Sequence, residues 1–119
     1  MELFMQVEQK VCEACLPDAK KASVTVIQNF LKEHTTWEMI TDNGVQKLIK
    51  VYKFSNFVEA QSFTNKVSDM AETEGHHPSI TLEYGQVTVR WWSHTIKGIH
   101  ENDLELCEQT DALLGEFLR

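Results

Sequence analysis

The hydrophobic period of the chain changes from about 3.6 to about 2 across Gly75-His76-His77-Pro78, and that change constrains everything built around it. Upstream, Asn56 followed by Glu59 is a capping-box pattern, and Phe57, Ala60, Thr64, Val67 and Ala71 recur at three and four residues. The spacing predicts a helix from about Asn56 to Glu74. Gly75 offers a left-handed cap and Pro78 stops the helix from resuming. Downstream, Ile80, Leu82 and Tyr84 alternate with Thr81 and Glu83. Gly85 then turns the chain, and Val87, Val89 and Trp91 alternate with Thr88, Arg90 and Trp92, which reads as a β-hairpin.

The first half repeats the pattern. After a polar lead through about Asp18, Ala19, Ala22, Val26, Ile27 and Phe30 share one face of a helix ending at Glu33 and starting anywhere from Pro17 to Ser23. Trp37 to Thr41 and Val45 to Phe54 are strand-like and flank Asn43-Gly44, a pair that tolerates positive φ. A closing helix from near Asn102 carries Leu104, Cys107, Asp111, Leu114 and Leu118 on one line, with Leu106, Leu113 and Phe117 beside it. The order α-β-β-α-β-β-α predicts an α+β, two-layer fold: a four-stranded antiparallel sheet with the helices on one face, as one domain over residues 1–119. Trp37, Tyr52, Trp91 and Trp92 are more aromatic surface than a thin core readily uses, so the open sheet face is expected to meet a ligand or a second subunit. Ordinary core packing is the competing reading for each of them.

Eighteen acidic against eleven basic side chains give a net charge of −7, the wrong sign for gripping a phosphate backbone, so no nucleic-acid partner is expected. No apolar run reaches the ~18 residues of a membrane span, and Met1 to Gln6 lack the charged-then-apolar order of a secretion signal. A cytoplasmic protein without a membrane partner is the expectation. Cys12, Cys15 and Cys107 are too few for a disulfide framework, in keeping with a reducing compartment. A chain of 119 residues buries a modest share of its surface, which favours self-association.

Five histidines remain to be placed. His76 and His77 are adjacent on a bend, so their rings diverge and the His-x-x-x-His zinc pattern is missing. Glu72, one helical turn before His76, is placed to accept a ring N–H and fix its tautomer. His94 follows the fourth strand and is expected to approach the pair across the sheet end, while Asp103 in the last helix's first turn either caps that helix or reaches a histidine or ligand. His34 and His100 carry no comparable pattern. These residues fit histidine acid/base catalysis without a metal, or a binding module in which the histidines are incidental. A metal site using some of His76, His77, His94, Cys12 and Cys15 is a third, weaker reading.

The order Glu72-x3-His76-His77-Pro78-x5-Tyr84-x9-His94-x8-Asp103 resembles the signature of the pterin-4a-carbinolamine (4a-hydroxytetrahydrobiopterin) dehydratases. The likeness extends to Trp37, to Tyr52-Lys53-Phe54-Ser55-Asn56-Phe57, and to Ser93-His94 and Gly98-Ile99, covering Trp37 to Leu114. Cys12-x-x-Cys15 resembles the lead of many bacterial members. The resemblance implies the same α-β-β-α-β-β-α arrangement, a homodimer or homotetramer, and no metal, nucleotide or flavin cofactor. It implies a pterin substrate, the 4a-hydroxy adduct released by an aromatic amino-acid hydroxylase such as phenylalanine 4-monooxygenase. Loss of water from that adduct gives the quinonoid dihydropterin, which a reductase returns to the tetrahydro form. Carried over, His76, His77 and His94 are catalytic, and Glu72, Pro78 and Asp103 join them in binding substrate. His76 or His94 is expected to protonate the leaving hydroxyl, and His77 to hold and deprotonate the ring. Gly75 and Ile80 stand where animal members have aspartate and tryptophan, and His100 where a Ser or Thr cap is common, a job expected to pass to Asn102. Animal members also serve as dimerisation cofactors for a homeodomain transcription factor. That role is not carried over, and an interaction module without catalysis is the alternative.

Overall fold

A computed structural model describes residues 10–117 of the chain; residues 1–9, Leu118, Arg119 and the Phe117 side chain lie outside it. The elements are α1 (Val24–Glu33), β1 (Glu38–Asp42), β2 (Val45–Lys53), α2 (Phe57–Glu74), β3 (Ser79–Glu83), β4 (Gln86–Trp91) and α3 (Glu101–Phe117), in the expected α-β-β-α-β-β-α order. A 3-10 turn, Glu13–Cys15, precedes them. The four strands are antiparallel in the order β1-β2-β4-β3, so the two hairpins meet along a central seam of β2 and β4.

Local chemistry sets the boundaries. The Ser23 hydroxyl accepts from Val26 N–H at 3.1 Å and starts α1, later than the earliest expected start. The Asn56 side chain accepts from Glu59 N–H at 2.9 Å, and the Glu59 carboxylate reaches back to Ser55 N–H at 3.0 Å. Gly85 has φ 66°, and a β-carbon there would lie 2.9 Å from the carbonyl oxygen of Phe54. Only glycine fits, because Phe54 N–H also donates to Gly85 O at 2.8 Å, closing the end of β2 onto the β3–β4 turn.

Pairing of Leu48 with Trp91 and Tyr52 with Val87 puts these residues, with Val89, Ile80 and Leu82, on the face covered by helices. From α2 the buried stripe is Ala60, Phe63, Val67 and Ala71. Phe57, expected on it, is 43% exposed, and the Thr64 hydroxyl turns back to Ala60 O at 2.9 Å. Phe63 takes their place, tilted against Tyr52 and Phe54. Tyr84, expected as a strand residue, is 75% exposed at the turn.

The aromatic surplus is mostly core. Trp37, Tyr52 and Trp91 are buried, and their polar atoms are met by α3. Trp91 Nε1–H donates to the Thr110 hydroxyl at 3.0 Å. Asp111 accepts from Trp37 Nε1–H at 3.0 Å, Lys50 Nζ at 2.7 Å and Tyr52 O–H at 2.6 Å. Trp92 alone of the four lies toward the open face, half-buried, with the Lys47 ammonium 4.0 Å above its ring. Among the described residues no helix is long and apolar enough to cross a membrane.

Burial, and then the bond to Asp111, push the Tyr52 phenol far above its ordinary value of 10.0; burial does the same to the Cys107 thiol, ordinarily 9.0. Folded protein therefore keeps protons that the unfolded chain releases, and stability held in full below pH 9 falls as pH rises past 9 and 10. Chemical denaturation across that range should show the loss, with a smaller slope in Tyr52→Phe; an equal slope would remove the phenol from the account. Asp111→Ala strands three donors and should cost about 2–4 kcal/mol in urea melts.

Candidate active site

The site begins at the way α2 ends. Gly75, at φ 69°, donates its N–H to Glu72 O, and His76 N–H donates to Ala71 O, the paired bonds of a Schellman cap. The left-handed residue swings the chain under the helix end. His76 is thereby driven into the core, 4% exposed, while His77 emerges to solvent.

His76 is held on three sides. Its ring stacks on Trp91 at 5.7 Å between centroids, with the planes 8° apart. Nε2–H donates to Asp103 Oδ1 at 2.7 Å, and Nδ1 lies 3.2 Å from Cys12 Sγ and 3.7 Å from Cys15 Sγ. A carboxylate acceptor on one nitrogen fixes the neutral ring as the Nε2–H tautomer and leaves the Nδ1 lone pair facing the sulfurs. Cys12 and Cys15 are joined as one local disulfide, a link that the cysteine count did not suggest.

Asp103 is fully buried and is satisfied from three chain segments. Besides His76 it accepts from Ser93 Oγ–H at 2.6 Å and from His100 N–H at 2.9 Å. The last bond is the return half of a capping box. His100 is the N-cap itself: its Nδ1 accepts from Asn102 N–H at 2.9 Å. Asn102, expected to take over that job, instead accepts from Ala14 N–H at 3.1 Å and ties down the lead. Asp103 is thus both cap and histidine partner, two readings that the sequence posed as alternatives.

Glu72 pairs with the other histidine. Its carboxylate accepts from His77 Nε2–H at 2.6 Å, not from His76, because the left-handed turn carries His76 away from the face that Glu72 occupies. Both members of this pair are more than half exposed. Pro78, half-buried, leads into β3, where Ser79 pairs with Arg90.

His94 is exposed on the turn after β4, a turn closed by Ser93 N–H to Gly98 O at 2.8 Å. Its ring packs on Trp92 at 4.5 Å. Trp91 and Trp92 are successive residues that point to opposite sides of the sheet, so His76 and His94 stand on opposite aromatic supports rather than facing one another as expected. The result is one buried group, His76–Asp103–Ser93, and two exposed units, His77–Glu72 and His94–Trp92, at one end of the sheet. A cavity of about 350 Å³ lies beside the buried group, lined by Lys10, Cys12, Glu74, His76, Asn102 and Glu105 among others; His77 and His94 do not line it.

His34 has a structural place, stacked on Phe30 at 4.1 Å and 3.1 Å from Glu108 of α3. Sequence reasoning missed Ser93 as an Asp103 donor, and it joined Cys12 to His76 only within the weaker metal-site reading. The adjacency Ser93-His94 was visible, but nothing in spacing links residue 12 to residue 76.

A profile of the family described as pterin 4 alpha carbinolamine dehydratase matches residues 20–113. A protein of Marinobacter nauticus is 49% identical over 105 residues, covering 88% of this chain and 95% of its own. One of Syntrophotalea carbinolica is 47% identical over 109 residues, covering 92% and 97%. Both bear the name "Putative pterin-4-alpha-carbinolamine dehydratase". A crystal structure from Brucella melitensis, described as a transcriptional coactivator/pterin dehydratase, superposes with a TM-score of 0.70 at 22% identity, over 79% of this chain and 98% of that one. A pterin dehydratase-like RuBisCO assembly factor of the alpha-carboxysome gives a TM-score of 0.58 at 22% identity, over 69% and 93%. At that identity the two structures establish the shared fold.

Replacing Asp103 by alanine leaves three donors, two of them buried, without an acceptor and should destabilise the protein by about 3–5 kcal/mol. Ser93→Ala removes one donor and should cost about 1 kcal/mol. Urea melts that ranked the two equally would show that the carboxylate is not the hub.

Proposed function

The chain belongs to the pterin 4 alpha carbinolamine dehydratase family, and we propose on that basis that it removes water from 4a-hydroxytetrahydrobiopterin to give the quinonoid dihydropterin. The observation that carries the reading is the family match over the segment that holds Glu72, His76, His77, Pro78, His94 and Asp103. The substrate comes from an aromatic amino-acid hydroxylase, and the protein works in the cytoplasm as a homodimer or homotetramer.

The elimination takes a proton from N5 and gives one to the hydroxyl on C4a, so that the C4a–O bond breaks, a C4a=N5 double bond forms and water leaves. Both groups must be reachable by substrate and able to exchange protons near neutral pH. His77 and His94 are reachable from solvent; His76 is not, because it is buried with its ring nitrogens against Asp103 and the sulfurs. In this mechanism His77, with Nε2–H given to Glu72, takes the N5 proton on its Nδ1 lone pair, and His94 gives a proton to the hydroxyl leaving C4a. The two end with protonation states exchanged, and solvent resets them. His76 is a positioning residue that sets the bend from which His77 projects, and Pro78 fixes the next step of the chain.

Decay of the carbinolamine, followed in a hydroxylase-coupled assay with and without this protein, tests the activity. Acceleration over spontaneous dehydration is expected, and its absence sinks the proposal in favour of an interaction module on the same fold. His77→Ala and His94→Ala should each lower the rate by roughly 10²–10⁴ with the fold intact by circular dichroism. Light scattering should give a dimer or tetramer; a monomer would contradict the assembly.

A further inference from the structure

We propose that Cys12, Cys15 and His76, once the disulfide is reduced, form a binding site for a borderline divalent cation such as zinc, with two thiolates and one imidazole as ligands. One ligand atom from each of the three residues lies within 4.8 Å of the others. The distances from His76 Nδ1 to the two sulfurs, 3.2 and 3.7 Å, bracket the separation of about 3.5 Å that a tetrahedral zinc imposes through Zn–S bonds of about 2.3 Å and Zn–N bonds of about 2.0 Å.

The imidazole is prepared for a metal. Its Nε2–H is committed to a fully buried carboxylate, the outer-shell arrangement that orients metal-bound histidines and raises their basicity, and its lone pair points at the sulfurs. The lead is fixed before any ion arrives. Lys10 N–H donates to Thr73 O at 2.9 Å and Lys10 Nζ pairs with Glu74 at 2.9 Å. Fully buried Ala14 donates to Asn102, and the Thr95 hydroxyl donates to Cys15 O at 3.2 Å. Glu13, Glu74 and Glu105 line the adjoining cavity and favour a cation, and that cavity gives water access to the fourth coordination position.

The chemistry balances through a dithiol reductant. Thiol–disulfide exchange transfers two electrons and two protons to Cys12 and Cys15, and the reductant leaves as its own disulfide. The sulfurs can then separate to about 3.8 Å, and zinc displaces the two thiol protons to give a neutral two-thiolate, one-imidazole centre. Exchange with a disulfide oxidant, which takes up the two electrons and leaves as its dithiol, restores the Cys12–Cys15 bond and expels the ion. The lead of the chain is thereby coupled to redox state through the residue on which the exposed His77 depends. Cation binding itself does not rest on the dehydratase reading.

The test is a direct titration. Full-length protein is reduced with a dithiol, freed of it without air, and titrated with zinc against a chromophoric chelator. One zinc per chain is expected, with binding weakened by more than about 100-fold in the Cys12→Ser/Cys15→Ser double variant. The same titration on the oxidised protein should show no stoichiometric site. Cobalt should give a thiolate charge-transfer band in the wild type only, and bound cadmium should show scalar coupling to the ring Nδ1 of His76. The proposal falls on any of these results: no stoichiometric binding by the reduced wild type, equal binding by the double variant or the oxidised protein, or coupling to another histidine. Because the cysteines are at the surface edge of the fold, circular dichroism of the double variant should match the wild type, and the cadmium coupling remains decisive where it does not.

Discussion

A carboxylate with no exposure to water holds this end of the molecule together. Asp103 would be costly to bury alone, since an ionised group in a low-dielectric interior loses its hydration. Three donors compensate, and each comes from a different place: the cap of α2, the turn after β4 and the N-cap of α3. One side chain therefore registers three elements against each other. Because His76 is one of the donors, the inner face that the cysteines meet is set by the same bond.

Asp111, two turns along α3 on the same side, does for the far half of the sheet what Asp103 does for the near half. It gathers Trp37, Lys50 and Tyr52 from β2 and the approach to β1. Cys107 lies between the two acids, and burial with nearby carboxylates keeps its thiol protonated and unreactive. The acidic surplus thus divides by depth. Asp103 and Asp111 serve position from within the fold, whereas Glu72 pairs with His77 at the surface.

Signals carried by neighbours in sequence were legible: the cap at Gly75, the Asn56 start, both hairpins and the spaced histidine signature. What was illegible depended on contacts far apart in the chain. Glu72 was assigned to His76 on helical spacing, but the left-handed residue between them breaks the helical geometry on which that spacing rests, and the bond goes to His77. Phe57 and Phe63 each fit an apolar stripe, and only the position of the sheet decides which is buried. The lead read as polar and unplaced, because its anchors at Thr73, Asn102 and Thr95 leave no trace in a periodicity of residues 10–18.

The strand order β1-β2-β4-β3 has a kinetic meaning. Each hairpin closes across a short turn and can form within microseconds, but the β2–β4 seam unites strands with all of α2 and β3 between them. Its closure bears the largest loop entropy in the sheet, and the Phe54–Gly85 bond joins the end of β2 to the β3–β4 turn across it. The seam is the longest-range pairing in the sheet, and α2, part of the segment it spans, packs back on β3 and β4.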